Sequence, residues 1–292
     1  MPDDTRAPAP APSTAHAFSI DAYAPAEIAR RVEESGVAKA HAPWLATAML
    51  GALGGAFIAI GCLWFTLVAS DASLGFAAAR VLGGFVFSLG LILVVVAGAE
   101  LFTGNNLLVM AWADGRITGA ELARNWAIVL AANAVGAFAM AALAVLSGYV
   151  DMNKGAVAVT AVRIAAAKAS LPFWQAFFAG VLCNVLVCLA VWLAMAGRSV
   201  MDKAVAIAFP IAAFVAAGFE HSIANLYFIS LGLLLRDAVD PALVPNIAQL
   251  DAFAFARNLV PVTLGNIAGG SGLVALVYFL IYRVAPRMGR RA

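Results

Sequence analysis

The chain has 292 residues, of which 64% are hydrophobic and 12% are charged. Soluble domains carry about 25% charged residues, so this composition cannot cover a water-exposed surface, and the mean hydropathy of +0.94 agrees. The net charge of +2 is too small to indicate a nucleic-acid partner. The totals therefore predict a membrane protein whose solvent is lipid.

The first 24 residues are rich in Pro and Ala and contain no apolar run of the kind found in a cleavable signal peptide. We expect residues 1–24 to form a disordered cytoplasmic tail. Residues 25–42 begin with Pro25, which suits a first helical turn, and mix charged with apolar positions. This segment is too polar to cross a bilayer, so it is predicted to be a helix on the membrane surface or over a pore mouth.

A transmembrane domain is predicted over residues 43–285. Its six apolar spans cover residues 45–69, 82–112, 125–147, 172–196, 204–235 and 258–284. The second and fifth spans run to about 30 residues, whereas a straight helix needs roughly 20 to cross the hydrocarbon. Both also carry polar groups in mid-span. Because non-helical backbone at that depth is tolerated only where it is buried in protein or lines a cavity, both are predicted to be broken helices.

Lys and Arg residues are distributed unevenly between the two sides of the membrane that these spans imply. With the N-terminus inside, twelve of the 18 fall in cytoplasmic segments, which include a basic tail at residues 286–292. Cytoplasmic loops carry the excess of positive charge in membrane proteins. The predicted location is the bacterial inner membrane, with both termini in the cytoplasm.

The sequence repeats itself in two places. Residues 98–105 and 218–225 share Gly, Glu and Asn at one offset, and residues 124–136 and 257–269 share an Arg-Asn pair, a second Asn and a Gly at identical spacing. Each half has three spans, and this odd number makes the second half enter the membrane from the opposite face. The predicted fold is all-α, with six transmembrane helices in two inverted three-helix repeats whose broken helices 2 and 5 meet near the midplane.

Three polar residues near these breaks are candidates for a substrate pathway. His221 is the one histidine of three that falls within a span, and ionisable groups in a membrane usually face a cavity and serve function. Thr103 lies at the other break and offers a hydroxyl that donates and accepts. The alternatives are a neutral histidine in a packed core and a threonine bonded to a helical carbonyl. Asn184, in the fourth span, either lines the pore or bonds broken backbone.

Two glutamates, Glu100 and Glu220, adjoin the predicted breaks. An anion pathway should not expose carboxylates, so we expect both to bind free backbone N–H groups of the interrupted helices. Asn105, Asn225 and Asn266 are assigned the same structural role at the breaks. The other free N–H groups and the positive ends of the half-helices favour an anion.

Apolar side chains in the spans are candidates for a constriction that gates by dewetting. Those assigned to the pathway are Phe87, Leu91, Leu101, Val187 and Phe214. Ordinary packing is the alternative reading of such residues. Lys168, just before the fourth span, either draws anions to the outer mouth or is only solvated.

Five segments combine these features. They are Gly98-Ala-Glu-Leu-Phe-Thr-Gly-Asn105, Gly180-Val-Leu-Cys-Asn-Val-Leu-Val-Cys-Leu-Ala-Val-Trp192, Gly197-Arg-Ser-Val-Met-Asp-Lys203, Gly218-Phe-Glu-His-Ser-Ile-Ala-Asn225 and Asn258-Leu-Val-Pro-Val-Thr-Leu-Gly-Asn266. Together they resemble the formate/nitrite transporter family over residues 25–285. The resemblance implies an aquaporin-like fold with the second and fifth spans broken, assembled as a homopentamer in which each protomer has its own pore.

The resemblance also implies roles for single residues. His221 is similar to the family's central pore histidine, Thr103 to its partner on the loop of the second span, and Asn184 to a pore asparagine. The positions that match the constrictions and the lysine of the outer vestibule are Phe87, Leu91, Phe214 and Lys168. The helix over residues 25–42 resembles one that caps the cytoplasmic mouth.

The functional hypothesis is transport of a small monovalent weak-acid anion, with formate first. Dehydrating a charge is costly, so a proton supplied through His221 would let a weak acid cross as a neutral molecule. The predicted partners are then the anion, protons, the lipid and four further copies of the chain. A nitrite or hydrosulfide transporter of the same fold is the alternative.

Two other classes remain in view. An aquaporin-type channel for neutral solutes would share the fold, but the paired Asn-Pro-Ala turns of that class are absent from the sequence. An enzyme is not predicted, because Glu220 and His221 alone make neither a metal site nor a nucleophile pair. The three cysteines lie in apolar stretches without metal-ligand spacing, so no metal or cofactor is expected.

Overall fold

The computed structural model describes residues 21–289, and every regular element in this part of the chain is helical. Residues 1–20 and 290–292 lie outside it, and with them most of the predicted N-terminal tail and the end of the basic tail. Six of the described helices are long and apolar enough to cross a membrane. They are Trp44–Ala69, Phe76–Gly98, Gly119–Leu146, Phe173–Ala196, Val200–Ala217 and Ala254–Arg287. The protein is a multi-pass membrane protein.

The first half contains six α-helices. They are α1 (Pro25–Ala40), α2 (Trp44–Ala69), α3 (Phe76–Phe87), α4 (Leu89–Leu93), α5 (Val109–Ala113) and α6 (Gly119–Leu146). A π-helical turn, Val94–Gly98, ends the run of α3 and α4, and a 3-10 helix, Gly104–Leu108, leads into α5. Between these two turns, residues 99–103 are non-helical, so the second span consists of two helical pieces joined by irregular backbone.

The second half contains seven further α-helices. They are α7 (Ala156–Ala169), α8 (Phe173–Ala196), α9 (Val200–Ala217), α10 (Ser222–Leu235), α11 (Ala254–Ile267), α12 (Val277–Phe279) and α13 (Ala285–Gly289). Residues 218–221 separate α9 from α10, and Gly218 enters this break with φ +78°, as Gly98 enters the first with φ +83°. Two π-helical stretches, Ala268–Leu276 and Leu280–Val284, lie in the sixth span.

Helix α7 is absent from the sequence prediction, which left residues 148–171 between spans. It has 14 residues, too few to cross a bilayer, and carries no repeated motif that would have marked it. In the structure it is the counterpart of α1, because each half opens with a short helix whose last turn carries a lysine, Lys39 in α1 and Lys168 in α7. The repeat therefore includes a short opening helix as well as three spans.

Close helix packing occurs at matching places in the two halves. Helix α2 packs along α6, and α8 packs along α11. A Cβ atom at Gly136 would collide with the carbonyl oxygen of Ala52, and one at Gly269 would collide with that of Val181. Glycine at these two positions lets the backbones approach as small residues do in other membrane helix pairs.

Helix α1 packs against one end of the membrane domain and is fixed to its last span. The carboxylate of Glu33 is buried, and its Oε1 atom lies 2.8 Å from Nε of Arg283. Burial raises the pKa of Glu33, and the nearby Arg283 opposes this shift. The contact holds the last turn of α1, with Lys39, against the first break.

We predict that Gly136→Val destabilises the folded protein by about 3 kcal/mol or more, the upper end for overpacking, because its Cβ atom overlaps rigid backbone. The measurement is the temperature at which the detergent-solubilised protein loses its monodisperse peak in size-exclusion chromatography. Gly75→Val is the matched control, since no atom lies within 4 Å of a Cβ at Gly75. Equal transition temperatures for the two variants would contradict the packing argument.

Candidate functional site

The two breaks bring Thr103 and His221 together. Both side chains are buried, and Thr103 Oγ1 lies 3.0 Å from Nε2 of His221, although the residues are 118 positions apart. Each residue ends the non-helical segment of its span. The pair is thus formed only when the two halves of the repeat have folded against each other.

The other ring nitrogen of His221 fixes where its proton resides. The backbone N–H of Ala224 donates to Nδ1 at 3.1 Å, so His221 caps the N-terminus of α10. A nitrogen that accepts a hydrogen bond carries no proton, so a neutral imidazole here has its proton on Nε2. Nε2 then donates to Thr103 Oγ1, and the Thr103 hydroxyl proton is free for another acceptor.

Two cavities approach this pair from opposite sides. The α7 cavity, about 490 Å³, is bordered by α7 and reaches His221. Its charged lining residues are Arg80, Arg163, Lys168 and Glu220. The α1 cavity, about 330 Å³, is bordered by α1 and reaches Leu101 and Gly104, on either side of Thr103. Its charged lining residues are Lys39, Glu100 and Lys203.

Four of the five apolar side chains assigned to the pathway line the two cavities. In the α7 cavity the rings of Phe87 and Phe214 meet edge to face, with centroids 5.7 Å apart. The ring of Phe214 also stacks on the imidazole of His221, with the ring centroids 5.8 Å apart and an angle of 17° between the ring planes. Leu91 and Leu101 line the α1 cavity. Val187 is buried in the hydrophobic core.

Two asparagines satisfy the irregular backbone, and they do so in the same way. Oδ1 of Asn133 accepts from the N–H of Phe102 at 3.0 Å, and its amide donates to the carbonyls of Glu100 and Gly51. Oδ1 of Asn266 accepts from the N–H of Ser222 at 3.0 Å, and its amide donates to the carbonyls of Glu220 and Gly180. We predicted this role for Asn266, whereas Asn133 was recognised from the sequence only as a residue that the two halves share.

The two carboxylates bind side chains rather than the backbone N–H groups that we expected. Oε2 of Glu100 accepts from the Asn105 amide at 2.5 Å, and its Oε1 lies 3.0 Å from Nζ of Lys39. Oε2 of Glu220 accepts from the Asn225 amide at 2.6 Å, and its Oε1 lies 2.8 Å from Nζ of Lys168. The physical reason is that the asparagines already occupy break amides, while each buried carboxylate needs a cation to remain charged.

Lys168 is not the solvated loop residue of one of our two readings. It lies in α7, its side chain is only 15% exposed, and its ammonium group is held by Glu220. It also lines the α7 cavity, and its role in drawing anions stays a prediction. Lys39 holds the equivalent position in the first half, and no local pattern marks its role because Glu100 is distant in the chain.

Asn184 connects the first break to Asn266 of the sixth span, whose side chain in turn binds the second break. Its amide donates to the carbonyl of Asn266 at 2.7 Å and to the carbonyl of Thr103 at 3.3 Å. Of the two alternatives for this residue, the hydrogen bonds to broken backbone are the ones present in the structure. Its Oδ1 atom is buried and has no hydrogen-bond partner within the described residues.

Arg80 lies at the site, although in the sequence we recognised it only as one of the Lys and Arg residues outside the predicted cytoplasmic segments. Its Nε and Nη2 atoms donate to the carbonyls of Ala216 and Val215, both at 2.9 Å. These carbonyls end α9 just before the break that carries His221. Arg80 thus fixes the end of a half-helix while its charge faces the α7 cavity.

Comparison with known proteins places this geometry in a family context. Residues 26–280 match the family model described as Formate/nitrite transporter. The formate channel FocA of Escherichia coli K12 is 42% identical over 272 residues, which cover 90% of this chain and 95% of the relative. FocA of Haemophilus influenzae is 37% identical over 263 residues, which cover 87% of this chain and 93% of the relative.

Solved structures agree with the sequence relatives. A pentameric formate channel with formate bound has a TM-score of 0.75 and 36% identity, over 82% of this chain and 97% of that one. An FNT family ion channel has a TM-score of 0.71 and 27% identity, over 88% of this chain and 98% of that one.

We predict that Asn266→Leu strongly destabilises the protein, because it leaves the Ser222 N–H and the Glu220 carbonyl without partners, at about 1–3 kcal/mol each, whereas the Gly180 carbonyl keeps its partner within α8. Thermal unfolding in detergent is the measurement. Thr66→Val is the control, since the Thr66 hydroxyl bonds only the carbonyl of Cys62, which keeps its helical partner. A variant as stable as this control would contradict the role given to Asn266.

Proposed function

The chain belongs to the formate/nitrite transporter family, and from that premise we propose that it carries formate across the membrane that it spans. The observation that carries the proposal is the pair of Thr103 and His221, buried between two cavities that approach it from opposite sides. The relatives from Escherichia coli and Haemophilus influenzae are named formate channels.

Electrostatics favours an anion as the substrate. Three cations and one carboxylate line the α7 cavity, and Lys168 neutralises that carboxylate. Arg80 and Arg163 then leave the cavity positive. A cleft of one charge sign, with low-dielectric walls, raises the local concentration of the opposite ion.

Within the α7 cavity, the anion sheds water against the rings of Phe87 and Phe214, a step that is costly for a charge. The hydroxyl proton of Thr103, whose oxygen accepts from the N–H of His221, replaces part of that water. The N-terminus of α10, which is the positive end of that helix's dipole, also attracts the anion. When Nδ1 of His221 releases the Ala224 N–H and takes up a proton, Nε2 can pass its own proton through the Thr103 hydroxyl to the anion, and the imidazole is left neutral. The weak acid then crosses as a neutral molecule, which gives transport its pH dependence.

The assembly and orientation form part of the proposal. A structural relative is described as a pentameric formate channel, and we assign the same homopentamer to this chain. The bias of Lys and Arg supports both termini in the cytoplasm of a bacterial inner membrane, with the α1 cavity on that side. The protein acts as a transporter rather than as an enzyme.

Nitrite is the second candidate, because the family name includes it; hydrosulfide belongs with it as a small monovalent anion of a weak acid. Both fit the same positive cavities and the same hydrogen-bond donors. A channel for neutral solutes would instead pass water or glycerol without anion flux.

We predict that formate enters proteoliposomes containing the wild-type protein, and that His221→Asn lowers this flux about tenfold or more, because the pathway loses its titrating group. The flux of the wild type should change with pH and that of the variant should not, because only the wild type has the imidazole that relays a proton. Flux is followed with labelled formate, and with nitrite and hydrosulfide as competitors. Equal flux and pH profiles for both proteins would refute the role of His221, and faster nitrite or hydrosulfide flux would replace formate as the substrate.

We predict that Arg163→Gln raises the half-saturating formate concentration roughly two- to fivefold at low ionic strength, with the maximal rate unchanged, because it removes a charge that concentrates anions. Arg163→Lys is the matched control, since it keeps the charge. The difference should shrink as salt is added. A change in maximal rate without a change in half-saturation would be inconsistent with a recruiting role.

A further inference from the structure

The chain beyond Thr103 is held by the sixth span. The 3-10 helix Gly104–Leu108 packs against the π-helix Ala268–Leu276. At this contact, Ser271 Oγ lies 3.1 Å from Oδ1 and 3.2 Å from the carbonyl oxygen of Asn106, so the serine hydroxyl donates to Asn106. Both residues are buried.

Side chains hold the backbone carbonyls at Thr103 and at the residue before it. Asn106 Nδ2 donates to the carbonyl of Phe102 at 2.9 Å. Asn184 Nδ2 and the thiol of Cys188 donate to the carbonyl of Thr103, at 3.3 and 3.4 Å. With both carbonyls fixed, the direction in which the Thr103 side chain leaves the backbone is fixed as well.

The other half of the repeat lacks this bond. Continuing the register that pairs residues 98–105 with 218–225, the residue that corresponds to Asn106 is Leu226. Continuing the register that pairs residues 124–136 with 257–269, the residue that corresponds to Ser271 is Phe138. Both counterparts are apolar. The hydrogen bond between Asn106 and Ser271 is therefore not needed to build the repeated frame, and it occurs only in the half that carries Thr103.

The local helix geometry brings Ser271 within reach. π-Helical turns inside α-helices are frequent at functional sites, and this one contains Gly269, Gly270 and Gly272 around the serine. A Cβ atom at Gly270 would lie 2.7 Å from Sγ of Cys188 and 3.0 Å from Cβ of Asn106. The absence of a side chain at Gly270 allows the sixth span to approach the loop closely enough for the bond.

We propose that Ser271 is a positioning residue for Thr103, acting through Asn106. Its hydroxyl orients the Asn106 side chain, which fixes the Phe102 carbonyl and thereby the contact between Thr103 and His221. Ser271 does not touch the substrate. This inference rests on the proposed function, because its consequence is measured as transport.

The test compares anion flux into proteoliposomes for wild type, Ser271→Ala, Thr103→Val and the double variant, with Thr66→Ala as a control that removes a buried hydroxyl elsewhere. We expect Ser271→Ala to lower flux about tenfold, as small misplacements of functional groups do, while Thr66→Ala stays near wild type. In the Thr103→Val background Ser271→Ala should have no further effect. A merely structural residue would lower the flux of both backgrounds by the same factor.

A second variant guards against a folding defect in the first. Asn106→Leu introduces the residue of the other half and removes the same bond from the loop side, so it should reproduce the loss of flux. Wild-type flux from Ser271→Ala or Asn106→Leu, or multiplicative effects in the double variant, would overturn the inference.

Formate, nitrite and hydrosulfide are all measured, so the two proposals fail separately. If the wild type carries one of the other anions but not formate, the proposed substrate is wrong, and the ratio of variant to wild type for the anion that is carried still decides the role of Ser271. The absence of all anion flux would remove both proposals.

Discussion

The structure depends on one constraint, which is that non-helical backbone inside a membrane must find hydrogen-bond partners within the protein. Each break exposes N–H and C=O groups that a continuous helix would have paired. Asn133 and Asn266 each bind one N–H and two carbonyl groups around a break. An amide side chain suits this task because it both donates and accepts. With the backbone satisfied in this way, the residues of the break are available for chemistry.

The side chains that support the backbone form a symmetric frame in the two halves, whereas the polar residues at the two breaks differ. Amide supports, buried lysine–glutamate pairs and glycine contacts occur in both halves at matching positions. Two departures from the repeat meet at the centre, where Leu101 corresponds to His221 and Thr103 corresponds to Ile223. A symmetric frame with one polar residue from each break gives a hydrogen-bonded pair, and the proposed function rests on these two departures.

The sequence predicted the spans and the two breaks, because length, polar interruption and repetition are local or periodic signals. The partnership of Thr103 with His221 was implied by the family resemblance and not by these signals. It did not predict α7, whose 14 residues are too few to span and carry no motif. It also misjudged the partners of Glu100 and Glu220, since the lysines that bind them come from distant helices. Contacts between elements that share no pattern cannot be read from a single sequence.

The pairing of each carboxylate with a lysine also decides the sign of both pathway entrances. An isolated Glu220 would repel anions from the α7 cavity, and an isolated Glu100 would do so in the α1 cavity. Lys168 and Lys39 cancel those charges, and further cations, Arg80 and Arg163 on one side and Lys203 on the other, line the same cavities. Because the charged residues that line each cavity sum to a positive charge, the field favours anions at both ends of the proposed pathway.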